Sequence, residues 1–418
     1  MRRGFDLTLL RIGWRNLWRN PRRTAITALA MALGTVMLSF VLSIMAGMQR
    51  DMINQGTELL LGHIQIHQKD YRPDRSIFDV LPEDGRALAA RLLDRDAVLG
   101  AAPRVSAYGL MSSGNKSLGV EIFGTDRGAE ARVTSLERKL QAGHFPARGE
   151  RAVALGTLAA ATLGVELGDE IVLITQAADG SLGNDLYAVA GVFRTGLDIV
   201  DGAMAILDLE VAQELLALSP RQIHEIAIRA TSPADAISVA ESIESELAGT
   251  GVEVAPWQEL APELSSWVAM SDSWLWILYA IVFALAAISV LNTMLMAVFE
   301  RMREFGVLAA LGMKPIAIVA LVVVEIAALA VVSLIVAIAI GAPLLRHVVG
   351  AGIDLSSLTG GFSLSGVAVG PIIRGDWVWR QFAVAGLLLI LCAVVAGLHP
   401  AARAARADPA RLTRGELR

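Results

Sequence analysis

Four apolar runs constrain what this chain can fold into more than any other feature. They fall at residues 24–47, 273–299, 316–345 and 381–398. A helix needs roughly 20 mainly apolar residues to cross a bilayer, and in lipid only helices or closed barrels satisfy every backbone polar group. The reading is an α-helical membrane protein with four transmembrane helices. Charged residues make up 18% of the chain, against about 25% in soluble domains, and the deficit lies in these runs. The first run has a basic lead and is followed by small residues, as a signal peptide would be. A signal's apolar region is only about 7–15 residues long, so a retained anchor is expected.

Arginine and lysine fix the expected orientation. The lead (1–23), the connector between the second and third runs (300–315) and the tail (399–418) carry 15 basic and five acidic residues, net +10. The whole chain is −5, which leaves −15 for the remainder. Both termini and the connector are therefore expected in the cytoplasm, with 48–272 and the loop 346–380 outside. The lead reads as an amphipathic helix on the inner leaflet. Leu7, Leu10, Trp14, Leu17 and Trp18 share an arc, flanked by Arg11, Arg15 and Arg19. A disordered basic flank would show the same arginines.

The segment 48–272 alternates strand-like and helix-like patches and reads as an inserted mixed α+β extracytoplasmic domain. Strands are expected at 62–67, 117–123, 170–175, 187–193, 203–207 and 225–228. Helices are expected at 88–93, 155–163, 209–218 and 234–248. The stretch 261–273 reads as a helical stalk leading into the second span. The single cysteine, Cys392, lies in the last run, so the outer domain must be held by its own core. Ser39, Ser43 and Gly47 recur at intervals of four in the first span, a spacing that permits close helix packing in lipid, here between subunits.

Chemistry is sparse. None of the four lysines follows a glycine, so no phosphate loop is present. No His-Glu-x-x-His helix or Gly-x-Ser-x-Gly elbow appears, and the chain does not read as an enzyme. His63 and His67 share a strand face, but two ligands without a third make poor metal evidence. No metal site is expected, and a polar outer strand face is the plainer reading. Glu325 is the one acid deep in a span, where ionisable groups face a bundle interior or a wet path. It reads either as lining a substrate path with Asn292 or as a structural hydrogen bond to Asn292 or Thr293. The connector Phe299-Glu-Arg-Met-Arg-Glu-Phe-Gly-Val-Leu-Ala-Ala-Leu-Gly-Met-Lys-Pro315 is short, amphipathic and closed by Gly312 and Pro315. It is an elbow on which a soluble motor could push; an ordinary charged connector is the alternative.

The elbow sequence Glu300–Gly312 resembles the coupling-helix segment of the FtsX/MacB/Lol group of ABC transporter permeases. The lead Arg11-Ile-Gly-Trp-Arg-Asn-Leu-Trp-Arg-Asn-Pro-Arg-Arg23, the outer-domain entry Gly62-His-Ile-Gln-Ile-His67 and the tail Pro400-Ala-Ala-Arg-Ala-Ala-Arg-Ala-Asp-Pro409 are similar too. The resemblance implies a periplasmic core domain above a dimer of four-span subunits in the bacterial inner membrane. It implies a separate cytoplasmic ATPase dimer, which supplies ATP and Mg and docks on Arg301, Arg303, Glu304, Gly306, Ala310, Leu311 and Gly312. Unlike MacB the chain carries no ATPase segment, and its outer domain is larger than that of a typical FtsX. Both departures favour the Lol type, as does the approach Trp257-Gln-Glu-Leu260. A lipoprotein is then the expected substrate, with a second permease subunit, identical or paralogous, and a periplasmic chaperone as further partners; no nucleic acid is expected. Adaptor-dependent efflux and regulation of a cell-wall hydrolase are the alternatives.

Overall fold

A computed structural model describes residues 11–354, 362–364, 367–369, 372–377 and 379–405. Leu7, Leu10, parts of the expected loop 346–380 and the tail from residue 406 lie outside them. The chain divides into two compact units. One comprises residues up to Gln49, Ala269–Thr359 and Pro371 onward; the other comprises Arg50–Val268 with Gly360–Gly370.

The first helix, α1, covers residues 11–17, and a turn at 18–20 separates it from α2 (Pro21–Gly56). The lead is therefore not one helix to residue 23. Pro21 lacks an N–H and suits the opening turn of a new helix. A wide π turn (Thr57–Leu61) follows.

The outer unit then runs β1 (Ile64–Gln68), α3 (Tyr71–Asp74), α4 (Gly85–Leu92), β2 (Val98–Ser113), β3 (Lys116–Thr125), α5 (Arg127–Val133), β4 (Leu140–Gly143), β5 (Ala152–Gly156), α6 (Thr157–Leu163), β6 (Glu170–Gln176), β7 (Leu182–Phe193), α7 (Asp198–Ala203), β8 (Met204–Asp208), α8 (Leu209–Leu215), β9 (Glu225–Ala230), α9 (Ala236–Glu246), β10 (Val252–Pro256) and α10 (Trp257–Leu260). The strand order is β10-β1-β9-β2-β3-β8-β5-β7-β4, and β6 bonds to both β2 and β7. The strands β2, β3, β8, β5, β7 and β6 thus close a ring, while β10, β1 and β9 form an open wing. The long β2 joins the two. Its first part pairs with β9, its second with β3, and residues 109–112 also pair with β6. Gly109 permits this third pairing, since a Cβ there would lie 2.7 Å from the Ile174 carbonyl oxygen.

Period-two alternation sets the core. Ile64 and Ile66 of β1 and Ile226 and Ile228 of β9 pack with α4 and α9 (Leu88, Leu92, Ile243) in a cluster that continues through Val105 and Ile122 to Leu155 and Leu173 of the ring. The opposite face of the wing carries Gln65, His67, Glu225 and Arg104, all buried. The expectation of a helix over 155–163 is corrected at its start. Residues 152–156 are a fully buried strand between β7 and β8, and an apolar run that short has no periodicity to separate strand from helix.

The remaining helices are α11 (Pro262–Glu300), α12 (Met302–Ala310), α13 (Pro315–Gly350) and α14 (Trp379–Ala405). Among the described residues four helices are long and apolar enough to cross a membrane: Thr24–Leu61, Pro262–Glu300, Pro315–Gly350 and Ala383–Ala402. They outrun the apolar runs because hydropathy marks only what lipid would cover, whereas helical backbone continues through polar residues. Side chains of α2, α11, α13 and α14, with Leu17 of α1 and Phe305 of α12, share one core. Only 6% of the most apolar window of α11 is buried, against 44% for α13.

Candidate functional site

The elbow is shorter than the expected 300–315. Arg301 leaves helical geometry (φ −111, ψ 10) and α12 begins after it. At the other end Gly312 takes φ +92, which glycine adopts without steric cost. Its N–H donates to the Ala309 carbonyl, and the Met313 N–H donates to the Leu308 carbonyl, both at 3.0 Å. This paired cap is a Schellman motif, and Pro315 opens α13 at once.

Arg301 fills the break. Its Nε donates to Glu304 Oε2 at 3.2 Å and its Nη1 to Glu325 Oε2 at 2.8 Å. The guanidinium also lies 5.4 Å from the Phe305 ring centroid, within cation–π range. On the other side Arg19 donates to Glu304 Oε1 at 2.5 Å. One ion network therefore ties the α1–α2 turn, α12 and α13 together. Partial burial opposes ionisation of Glu304, but hydrogen bonds from Arg19 and Arg301 hold its carboxyl below the ordinary value. Beside this network α1 lies close to α13: a Cβ on Gly13 would sit 2.9 Å from Val324 Cγ1.

The seven expected contact residues separate into two sets. Arg303, Ala310, Leu311 and Gly312 are exposed. Arg301 and Glu304 are engaged within the chain, and Gly306 is buried beside Phe305. Phe305, Leu308 and Leu311 do not share one environment: Phe305 is 2% exposed and Leu311 80%. The exposed face of α12 is Arg303, Val307 and Leu311 at helical spacing, and Val307 was not among the expected residues. Trp14 and Trp18 are both exposed and meet edge to face at 6.0 Å, while Leu17, expected beside them, is buried.

Two further expectations are corrected. Glu325 is partnered by Arg301 and not by Asn292, which is exposed on α11; the side chain of Thr293 lies outside the described residues. Of the small residues read for packing between subunits, Ser43 and Gly47 meet residues 374–376 of the same chain. Ser43 Oγ donates to the Asp376 carbonyl and the Asp376 N–H donates to the Ser43 carbonyl, both at 2.8 Å. A Cβ on Gly47 would lie 1.9 Å from the Arg374 carbonyl oxygen. The missing side chains let residues 374–376 lie against α2. Ser39 is buried, its hydroxyl without a partner among the described residues.

In the outer unit the wing's inner polar face is organised by Arg104. The guanidinium is buried, donates to Glu130 at 3.0 and 2.6 Å and to Glu225 at 3.1 Å, and lies 5.0 Å from the Phe123 centroid. Burial opposes its charge, but Glu130 and Glu225 push its pKa upward. Beside it His224 Nδ1 accepts from the Ser106 N–H at 2.9 Å, and its Nε2 lies 3.1 Å from the Ile77 carbonyl. Nε2 therefore carries the proton in the neutral ring. Burial lowers the pKa of His63, His67 and His224 alike. His63 precedes β1 and His67 lies within it, and both are buried, so neither sits on an outer strand face. Four residues of strand separate them by about 13 Å, too far to bind one ion, and among the described residues no group of three or more metal-ligating side chains forms.

The comparisons fit this division. The family model of a MacB-like periplasmic core domain matches residues 24–246, and that of an FtsX-like permease C-terminal segment matches residues 276–409. The lipoprotein-releasing system transmembrane protein LolC of Neisseria meningitidis serogroup B is 25% identical over 303 residues, covering 70% of this chain and 69% of that protein. LolC of Xylella fastidiosa strain Temecula1 is 24% identical over 427 residues, covering 99% of this chain and 100% of that protein. Among solved structures, the periplasmic region of MacB from Actinobacillus actinomycetemcomitans is 15% identical, covers 50% of this chain and 94% of that one, and superposes with a TM-score of 0.36. With one model on the outer segment and the other on the helices and elbow that follow it, this chain belongs to the FtsX/MacB/Lol group of ABC transporter permeases.

Proposed function

We propose that this chain is a membrane subunit of a transporter that releases lipoproteins from the bacterial inner membrane for sorting to the outer membrane. The observation that carries the reading is the end-to-end match to a lipoprotein-releasing permease. The four long apolar helices cross the membrane, with both termini and the elbow in the cytoplasm, as the placement of arginine and lysine favours. A separate ATPase dimer, working with ATP and Mg, docks on the exposed face of Arg303, Val307 and Leu311. The network of Arg19, Arg301, Glu304 and Glu325 passes its movement to α1 and α13. A second permease subunit takes up part of the open surface of α11, and a periplasmic chaperone accepts the released product.

The test is depletion of the chain in its source organism, followed by quantitative proteomics of separated inner and outer membranes. Accumulation of outer-membrane lipoproteins in the inner membrane is expected. Unchanged sorting would overturn the substrate and move the reading to efflux or hydrolase regulation.

A further inference from the structure

Residues 11–23 carry five arginines and no acid. Arg19 is engaged by Glu304, whereas Arg11 and Arg15 are exposed and meet no carboxylate among the described residues. The two carboxylates of the adjoining network are already taken, Glu304 by Arg19 and Arg301 and Glu325 by Arg301. The helix α1 therefore presents positive charge that its own chain does not balance.

That charge sits on one side of the helix. At about 100° per residue, Arg11, Trp14 and Arg15 fall within one arc, and Trp18, just past the helix, meets Trp14 edge to face. Gly13 and Leu17 lie on the opposite side and are buried, Leu17 in the core that it shares with α13. Leu17 is thus not available to lipid, and the open face is a pair of tryptophans flanked by arginines. Its depth follows from α13. The apolar run 316–345 extends about 45 Å as a helix, against about 30 Å of hydrocarbon, so it overshoots by about 7 Å at each end. Val324, which Gly13 abuts, lies about 14 Å from the start of α13, and so within about 7 Å of the boundary between acyl chains and headgroups. Tryptophan and arginine suit this level, with the apolar body of each side chain against lipid and its polar end toward the headgroups.

We infer that this face of α1 binds anionic phospholipid of the inner leaflet, with the phosphate held by Arg11 and Arg15 and the glycerol region against Trp14 and Trp18. Charge selects the class of lipid. A zwitterionic headgroup brings an amine that cancels its own phosphate, whereas an anionic headgroup supplies the counter-charge that α1 lacks. The inference rests on reading α13 as a membrane span with the elbow in the cytoplasm, and it adds the class of lipid that this side of the chain takes.

The test uses the full chain in nanodiscs of equal parts phosphatidylglycerol and phosphatidylcholine. Benzoylphenylalanine replaces either Trp14 or Leu391, an exposed residue in the apolar run of α14, and the lipid adducts are sorted by mass. At 14 the adducts should favour phosphatidylglycerol by about 25-fold, roughly five-fold for each arginine near the surface. At 391 they should follow the bulk mixture. Arg11→Gln together with Arg15→Gln should return the ratio at 14 to the bulk value. Arg346→Gln, the same change at an exposed position near the far end of α13, should leave it alone. Raising the salt should erode the enrichment, because the screening length shortens. Adducts at 14 in the bulk ratio, an enrichment that survives the double variant, or equal enrichment at 391 would each overturn the inference. Lipid adducts at 391 with none at 14 would overturn it too, leaving the membrane reading in place. Absence of lipid adducts at both positions would overturn that reading itself.

Discussion

Leu311→Ala separates docking on the elbow from its internal wiring. Leu311 is 80% exposed at the end of α12 and touches little of its own chain, so its removal should leave the permease folded. Burying a leucine side chain at an interface contributes about 2 kcal/mol, which corresponds to roughly a 30-fold weaker ATPase affinity. Glu304→Gln is the counterpart. The family resemblance implied that Glu304 is a docking contact, but the structure gives it Arg19 and Arg301 as internal partners. Its side chain is 41% exposed and that of Arg19 is 60% exposed, so solvent screening limits that pair to at most about 1 kcal/mol. The assay titrates purified ATPase against the permease in nanodiscs and follows thermal melting in parallel. Leu311→Ala should lose affinity at unchanged melting temperature, and Glu304→Gln should shift melting slightly while keeping affinity within a few-fold. Wild-type affinity in Leu311→Ala, or a larger affinity loss in Glu304→Gln, would refute the assignment of the exposed face.

Three further outcomes are expected. Arg104→Met strands the buried carboxylates of Glu130 and Glu225, at a cost of about 3–5 kcal/mol. That should lower the melting temperature of the outer unit by about 10 °C, and adding Glu130→Gln and Glu225→Gln should restore most of it; a shift under about 1 °C would show the network to be dispensable. Stability should fall as pH drops below 6.5, because burial depresses His63, His67 and His224 below that ordinary value in the folded chain and the unfolded chain takes up their protons first. Protonation of His224 also removes the acceptor for the Ser106 N–H; a melting temperature that stays flat or rises between about pH 7 and 5.5 would contradict this. Gly312→Ala forces a side chain into φ +92 at roughly 1 kcal/mol. It should weaken ATPase affinity by several-fold while the outer unit melts normally, and unaltered affinity would show that the cap does not position the elbow.

Strands with clean alternation were legible in the sequence, such as Ile64 and Ile66 on one side of β1 with Gln65 and His67 on the other. The 16-residue β2 was not. It mixes glycine, proline and serine with apolar residues because different parts of it face different partners, so no single period describes it. The strand over 152–156 was hidden for a related reason, since burial on both faces removes alternation.

By itself the sequence determined the four apolar helices, the charge asymmetry of the segments that flank them, the elbow between two of them and the mixed nature of the outer unit. These follow from local composition and period, which act over a few turns or strands. Only the tertiary structure decided that Glu325 pairs with Arg301, that Glu304 turns toward Arg19, that Ser43 and Gly47 receive residues 374–376, and that β6 closes a ring by reaching both β2 and β7. Each of those contacts joins distant segments or selects one partner among several of the same chemical type. Complementary chemistry limits the choice, but distance and burial in the folded chain make it.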